Sequence, residues 1–393
     1  MAVPLAASPT TAEEPPLSFW NTPRRGANFF NETETRERIR AAREAGIEWI
    51  RLVPDKWKGA GRDFLLGNAD DFEGLVPDDL RRLREVLGWA EGEGVPVVLG
   101  MLNLPGCRWV QHNDGKQDYR LWRDARYQEQ AAAFWKELAA SLKGHPALVA
   151  FNPLNEPHPA RADGLDDADA PGFAAWLESH RGTPSDLDAF YTRIVRAIRE
   201  VDPDTPILVE GYGHGSVAGL TFLSPVDDPA ILYSFHFYDP WQYTARKANK
   251  GRYAYPDRMP ESWDGPAVPW EEGALARRMD PVQLWAERRG IPAERIVAAE
   301  FGCDRQAEGA REYLSDIVAT LNSRGWHWAF YSFREDAWDR MDYEVGTGPL
   351  GAAYWEAVER GESPPRPWRD NLLWQVLQEG LRAGRRVEPA SRR

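Results

Sequence analysis

Short apolar runs that do not alternate with polar residues recur along the whole chain, each followed by a longer stretch with helical spacing. A strand with one wet face alternates. A strand covered on both faces does not, and such strands belong to parallel sheets sheathed in helices. The runs fall at residues 27–30, 49–53, 95–102, 148–152, 207–210, 231–237, 296–299 and 326–332. Helical patterns lie between most of them. One spans 33–45, with Thr33 as its N-cap, and "VPDDLRRLREVLGWAEGEG" ends at Gly92 or Gly94. Others span 126–142, 187–200, 282–289, 309–324 and 371–381, and only the weak "SVAGLTFLSP" separates the fifth and sixth runs. Eight such units without a repeat period predict an α/β chain folded as a (β/α)₈ TIM barrel. It reads as one domain over 18–384, between disordered tails at 1–17 and 385–393. The competing open doubly wound sheet carries a glycine-rich phosphate turn, and neither GxGxxG nor GxxxxGK[ST] occurs. Long loops at 55–71, 104–123, 160–184 and 240–280 would wall a cleft on the C-terminal face of such a barrel.

The net charge of −13 argues against nucleic acid or an anionic membrane as partner, since both select basic surfaces. No apolar stretch reaches the ~20 residues a spanning helix needs. The N-terminal "MAVPLAASPTTAEEPPLSF" lacks a basic start followed by an apolar core. It reads as the tail left after a signal peptide is removed, hence a secreted or periplasmic protein, with a cytoplasmic one as the alternative. Cys107 and Cys303 allow one bridge but no disulfide framework. Eighteen tryptophans in an acidic chain suggest a flat, weakly polar partner, a description that fits the apolar faces of sugar rings.

Two of the apolar runs end in a carboxylate. "LVAFNPLNEPHP" carries a strand to Asn155, Glu156 and a proline that forbids further pairing, and "RIVAAEFGCD" delivers Glu300 in the same way. Barrel enzymes place catalytic groups at the C-terminal ends of strands, and two facing carboxylates are the equipment of acid/base glycoside cleavage. The bland alternative is an ion pair or strand cap at each position. It weakens when both carboxylates stand at equivalent strand ends.

"AFNPLNEPHP" together with "VAAEFG" resembles glycoside hydrolase family 5, the cellulase family of retaining β-glycosidases on a TIM barrel, over about residues 20–380. The resemblance implies that Glu156 is the acid/base, Asn155 the partner of the substrate's 2-hydroxyl, and Glu300 the nucleophile. It also implies that Arg51, in "WIRLV", lies near the nucleophile and helps keep it ionised. His236 and Tyr238, in "YSFHFYDPW", match the family's His-x-Tyr pair, with Tyr238 donating to Glu300. Two positions depart from the pattern. Leu102 stands where the family places a His after the third strand, with Asn103 and His112 as nearby substitutes. Tyr331 stands near the family's Trp after the eighth, with Trp328 and Trp338 as rivals. Both departures concern the sugar pocket rather than the reaction type. Trp241 and Trp338, close behind strand ends, are the expected stacking platforms.

None of the seven histidines forms HxH or HExxH, and no GxSxG elbow occurs, so zinc and serine chemistry find no motif. "GYGHGSV" reads as an active-site loop. The expectation is a monomeric retaining glycosidase acting on a carbohydrate, with no metal or cofactor. A transglycosylase of the same fold and a non-catalytic carbohydrate-binding barrel are the rival readings.

Overall fold

The computed structural model describes residues 16–57, 62–261, 265–360, 362, 364 and 371–383. Most of both expected tails lies outside the described residues. Pro16 and Leu17 open a 3₁₀ turn, Pro16–Asn21.

The strands are β1 (Arg25–Phe29), β2 (Trp49–Leu52), β3 (Val97–Gly100), β4 (Leu148–Asn152), β5 (Ile207–Glu210), β6 (Ile231–Phe237), β7 (Asp257–Pro260), β8 (Ala267–Trp270), β9 (Ile296–Phe301) and β10 (His327–Phe330). Eight of them close a parallel barrel in the order β1-β10-β9-β6-β5-β4-β3-β2, so the expected (β/α)₈ fold is present. The antiparallel hairpin β7–β8 sits in the loop after β6. It was not foreseen because three of the four residues of β7 are partly or fully exposed, and no apolar run marks it. The longest packed helices are Pro77–Glu93, Ala125–Leu142, Leu187–Arg199, Glu272–Arg289 and Ala310–Ser323.

Several boundaries differ from those expected. The first helix begins at Arg36 with Thr35, not Thr33, as its cap, because the Thr35 hydroxyl accepts the Arg38 N–H. The helix expected to start at 282 begins at Glu272 and runs through Pro281. Apolar packing of Leu275, Met279, Val282 and Trp285 outweighs the one hydrogen bond a proline removes. Cys107 and Cys303 are buried free thiols, so the allowed bridge does not form.

Period-2 geometry sorts each strand into an outer face against the helices and an inner face toward the barrel axis. Inward at the lower end are Trp49, Val98, Ala150, Leu208, Leu232, Val297, Ala299 and Ala329, joined by Trp20 from the N-terminal turn. Trp20 plugs that end: its indole N–H donates to the Val149 carbonyl at 3.0 Å, and its ring lies 5.3 Å from that of Trp49. Gly26 is required there, since a Cβ would stand 2.5 Å from the Trp49 ring. Above that layer the inner face turns polar, with Asn28, Arg51, Asn152, Glu210, His236 and Glu300 all buried.

Candidate active site

Strict alternation would send Glu300 outward, because Val297 and Ala299 already face the axis. The β6–β9 register slips by one residue there. Phe235 pairs with Ala298, but His236 pairs with Glu300. Such a bulge re-aims the side chain that follows it. The Asn28 amide donates to the Ala299 carbonyl at 2.8 Å at the same point.

Arg51 organises the layer by donating to five side chains. Nη1 reaches Glu300 Oε1 at 2.6 Å and Asn28 at 3.2 Å, Nη2 reaches Asn155 and Glu210, each at 2.7 Å, and Nε reaches Asn152 at 2.9 Å. The Tyr238 hydroxyl donates to Glu300 Oε2 at 2.8 Å. His236 Nδ1 lies 2.9 Å from Glu156 Oε1 and 3.7 Å from Glu300 Oε2. Glu156 follows β4 in the left-handed region (φ 50°), uncommon without glycine. Its main-chain N–H donates to Glu210 Oε2 at 2.7 Å, and its carbonyl is 2.6 Å from His158 Nδ1. His214, in the glycine-rich loop, stacks on His158 with ring centroids 4.5 Å apart and puts Nδ1 4.0 Å from Glu156 Oε2. That loop borders the site, as expected of it.

Burial opposes every charge in this layer, and neighbours decide the outcome. For Glu300, burial wins and raises the carboxyl above its usual range, against the pull of His236 and Arg51. For Glu210, burial is overcome by His236 and Arg51, which hold it at about 2. For His236, burial is overcome by Glu300 and Glu210, which push the imidazolium up to about 10. Burial lowers His214 well below the ordinary histidine value, with His158 adding to the effect. Glu156, His236 and Glu300 offer atoms all within 4.8 Å of one another, a spacing that could hold a metal ion. The fit is poor, since the metal would have to displace a proton that two carboxylates stabilise on His236.

The remaining expected residues divide. Tyr331, Trp338, Trp241 and Tyr238 form one aromatic wall, with Trp338 5.0 Å from Tyr331, 5.5 Å from Tyr238 and 6.2 Å from Trp241. Trp328 is fully buried on the outer side of β10 and bonded to Asn322, which removes it as a rival. His112 bonds to Asn103 at 2.8 Å on the loop after β3, and the charges that act on it are those of Lys56 and Asp63. Leu102 is buried beside Asn155 and Glu156, with an apolar side chain where the family pattern has His. Glu210 was passed over. Its signal was there, an apolar run ending in Glu ("ILVEG") like the other two.

The family described as Cellulase (glycosyl hydrolase family 5) matches residues 11–337. The chain belongs to glycosyl hydrolase family 5. As a member of that family it is an O-glycosyl hydrolase of the polysaccharide-degrading type. Endoglucanase C of Acetivibrio thermocellus is 26% identical over 338 residues, which cover 80% of this chain and 87% of that protein. A beta-xylosidase of Phanerodontia chrysosporium is 24% identical over 258 residues, 63% of this chain and 44% of its own length. Among solved structures, Thermotoga maritima Cel5A in complex with cellobiose superposes with a TM-score of 0.63 at 19% identity, covering 92% of this chain and 99% of that one. The same enzyme with mannotriose gives 0.63 at 18% identity, with 92% and 99% covered. These two share the fold. Among the described residues no helix is long and apolar enough to cross a membrane.

Proposed function

We propose that this family 5 hydrolase cleaves the O-glycosidic bonds of a β-linked glycan with retention of configuration. Glu156 acts as acid/base and Glu300 as nucleophile. One observation carries the reading: an oxygen of Glu156 and an oxygen of Glu300 lie within 4.8 Å of each other at the barrel mouth. Retaining enzymes hold their carboxyl groups about 5–5.5 Å apart, whereas inverting enzymes leave about 6.5–9.5 Å for a water. In the first step Glu156 protonates the glycosidic oxygen while a Glu300 oxygen attacks the anomeric carbon. The leaving group departs with the proton, and a glycosyl ester remains on Glu300. In the second, Glu156 takes a proton from water, which opens that ester and regenerates both groups. Asn155, bonded to Arg51, takes the 2-hydroxyl in this reading, and His236 supports Glu156. Tyr331, Trp338 and Trp241 offer ring faces to the sugar.

Relatives named endoglucanase and beta-xylosidase, and a fold neighbour solved with cellobiose and with mannotriose, favour a β-linked glycan. A polymeric substrate cannot enter a cell, which favours action outside the cytoplasm. A 2-fluoro aryl glycoside tests the mechanism. It should add one glycosyl mass to the enzyme, on the peptide containing Glu300. A label on another carboxylate, or none with any β-glycoside that the enzyme turns over, sinks the assignment.

A further inference from the structure

Glu210 touches no reacting atom in the mechanism above, yet both its oxygens are committed to groups that do. Oε1 accepts from Arg51 at 2.7 Å, while Oε2 accepts the Glu156 main-chain N–H at 2.7 Å and lies 3.4 Å from His236 Nε2. The His236 contact is ionic, without hydrogen-bond alignment at Nε2. The Glu210 peptide is itself fixed: its N–H donates to the Tyr191 hydroxyl at 3.0 Å, and that hydroxyl donates back to the Glu210 carbonyl at 2.9 Å. The loop after β5 closes over the cluster at Gly215, where a Cβ would stand 3.3 Å from Glu210 Oε2 and 3.5 Å from the His236 ring.

We propose that Glu210 is a positioning residue for the acid/base: a buried third carboxylate that pins the left-handed turn at Glu156 and is the shared counter-ion of Arg51 and His236. The inference rests on the assignment of Glu156 and Glu300 above, and adds a residue that works through them.

Two consequences follow from the contacts. First, the Glu156 backbone sits in a conformation a non-glycine residue seldom adopts, so something must hold it. A charge-assisted bond from its N–H to a buried carboxylate does so, and charge-assisted bonds are roughly twice as strong as neutral ones. Second, Glu210 governs the proton inventory of His236. The groups facing that ring are Glu156, Glu210 and Glu300; Arg51, bound to Glu210 and Glu300, carries the opposing charge, and His214 beside Glu156 is neutral. A doubly protonated ring can only donate from Nδ1 to Glu156 Oε1. That oxygen can then only accept, so the proton Glu156 delivers is carried on Oε2. Without the charge on Glu210 the ring loses one of its two chief supports. A neutral ring can carry its proton on either nitrogen, and Oε1 is no longer fixed as the acceptor.

The test reads the His236 ring directly, by nitrogen-15 spectra of the histidine-labelled full chain, with the signal assigned by its loss in His236→Gln. In the unmodified protein His236 should stay doubly protonated from pH 6 to 8. In Glu210→Gln the ring should titrate about two pH units lower. The same variant should lose about tenfold to a hundredfold in kcat with little change in KM, a part of the roughly hundredfold or more that an acid/base group contributes. Glu210→Asp keeps the charge, so it should keep the ring protonated while losing the bond to the Glu156 N–H. A neutral His236 at pH 7 in the unmodified protein overturns the proposal, as does an unmoved ring or unchanged kcat in Glu210→Gln. Should that variant fail to fold, the unmodified protein and Glu210→Asp still decide. Ring titration needs no turnover. Failure of the 2-fluoro label at Glu300 would therefore count against the mechanism, and failure of the ring to respond against Glu210.

Discussion

Arg51 Nη1 lies 2.6 Å from Glu300 Oε1, and both side chains are buried in the polar layer at the barrel mouth. Such a pair is expensive to break, because removing one partner strands the other charge away from water. Here the stranded charges would be two, Glu300 and Glu210, since both rest on the same guanidinium. Arg51→Met should therefore lower stability by about 3–5 kcal/mol, readable by urea denaturation. Arg51→Lys keeps a charge but cannot reach five acceptors from one ammonium. It should fold, and it should lose activity chiefly in kcat. A lysine variant as active as the parent would show that the fork geometry is dispensable.

Stability should depend on pH at both ends, for opposite reasons. Glu210 is held at about 2, below its unfolded value, so its contribution is present above about pH 4.5 and disappears as pH falls toward 2. His236 is held at about 10, above its unfolded value, so its contribution is complete below about pH 6.5 and is lost as pH rises through 10. Thermal melts across pH should trace both limbs, and His236→Gln should abolish the alkaline one. An alkaline limb unchanged in that variant would assign it elsewhere.

Removing the two carboxylates should produce different failures. Glu300→Ala cannot form the glycosyl ester and should be inactive on every substrate. Glu156→Ala should still be glycosylated by an aryl glycoside whose leaving group needs no proton, and the ester should accumulate. Azide, which needs no base, should restore turnover and yield a β-glycosyl azide. An α product would mean direct attack on the substrate and a reversed assignment.

The two tryptophans of the aromatic wall should separate. Trp241 is 39% exposed, so Trp241→Ala should raise KM with little loss of thermal stability. Trp338 packs edge-on against Tyr331 and Tyr238, and Trp338→Ala should cost both binding and stability. An unchanged KM in both variants would remove the wall from the substrate site.

At the far end of the barrel, Trp20 is fully buried, packs on Trp49 and His327 and bonds to Val149 through its indole. Trp20→Ala should destabilise by about 3–5 kcal/mol while leaving kcat/KM at 25 °C unchanged. A matching loss of activity in the folded variant would mean that the plug shapes the mouth.

The barrel was legible because a strand buried on both faces must be apolar throughout, and eight such runs stand out against amphipathic helices. The hairpin of β7 and β8 was not, because exposed strands carry no such signal. Glu156 was legible because a proline after a carboxylate at a strand end has little structural use. Tyr238 was legible through the family's His-x-Tyr pair, whose two-residue spacing puts it on the same face as His236. Asn103 and His112 were named as substitutes for the family His missing after the third strand, and no sequence pattern shows that the loop bonds the two to each other.

The sequence by itself determined the fold class, the strand ends that carry Glu156 and Glu300, and membership of the cellulase family. These are local facts, written in hydrophobic period and in a short motif. Only the tertiary structure decided that Glu300 faces the axis, because that depends on a one-residue slip between β6 and β9. Only it decided that Glu210 meets Arg51, His236 and the Glu156 backbone at one point. Charge and protonation in that layer follow from distances between residues on different strands. No one-dimensional pattern encodes such distances before the barrel closes.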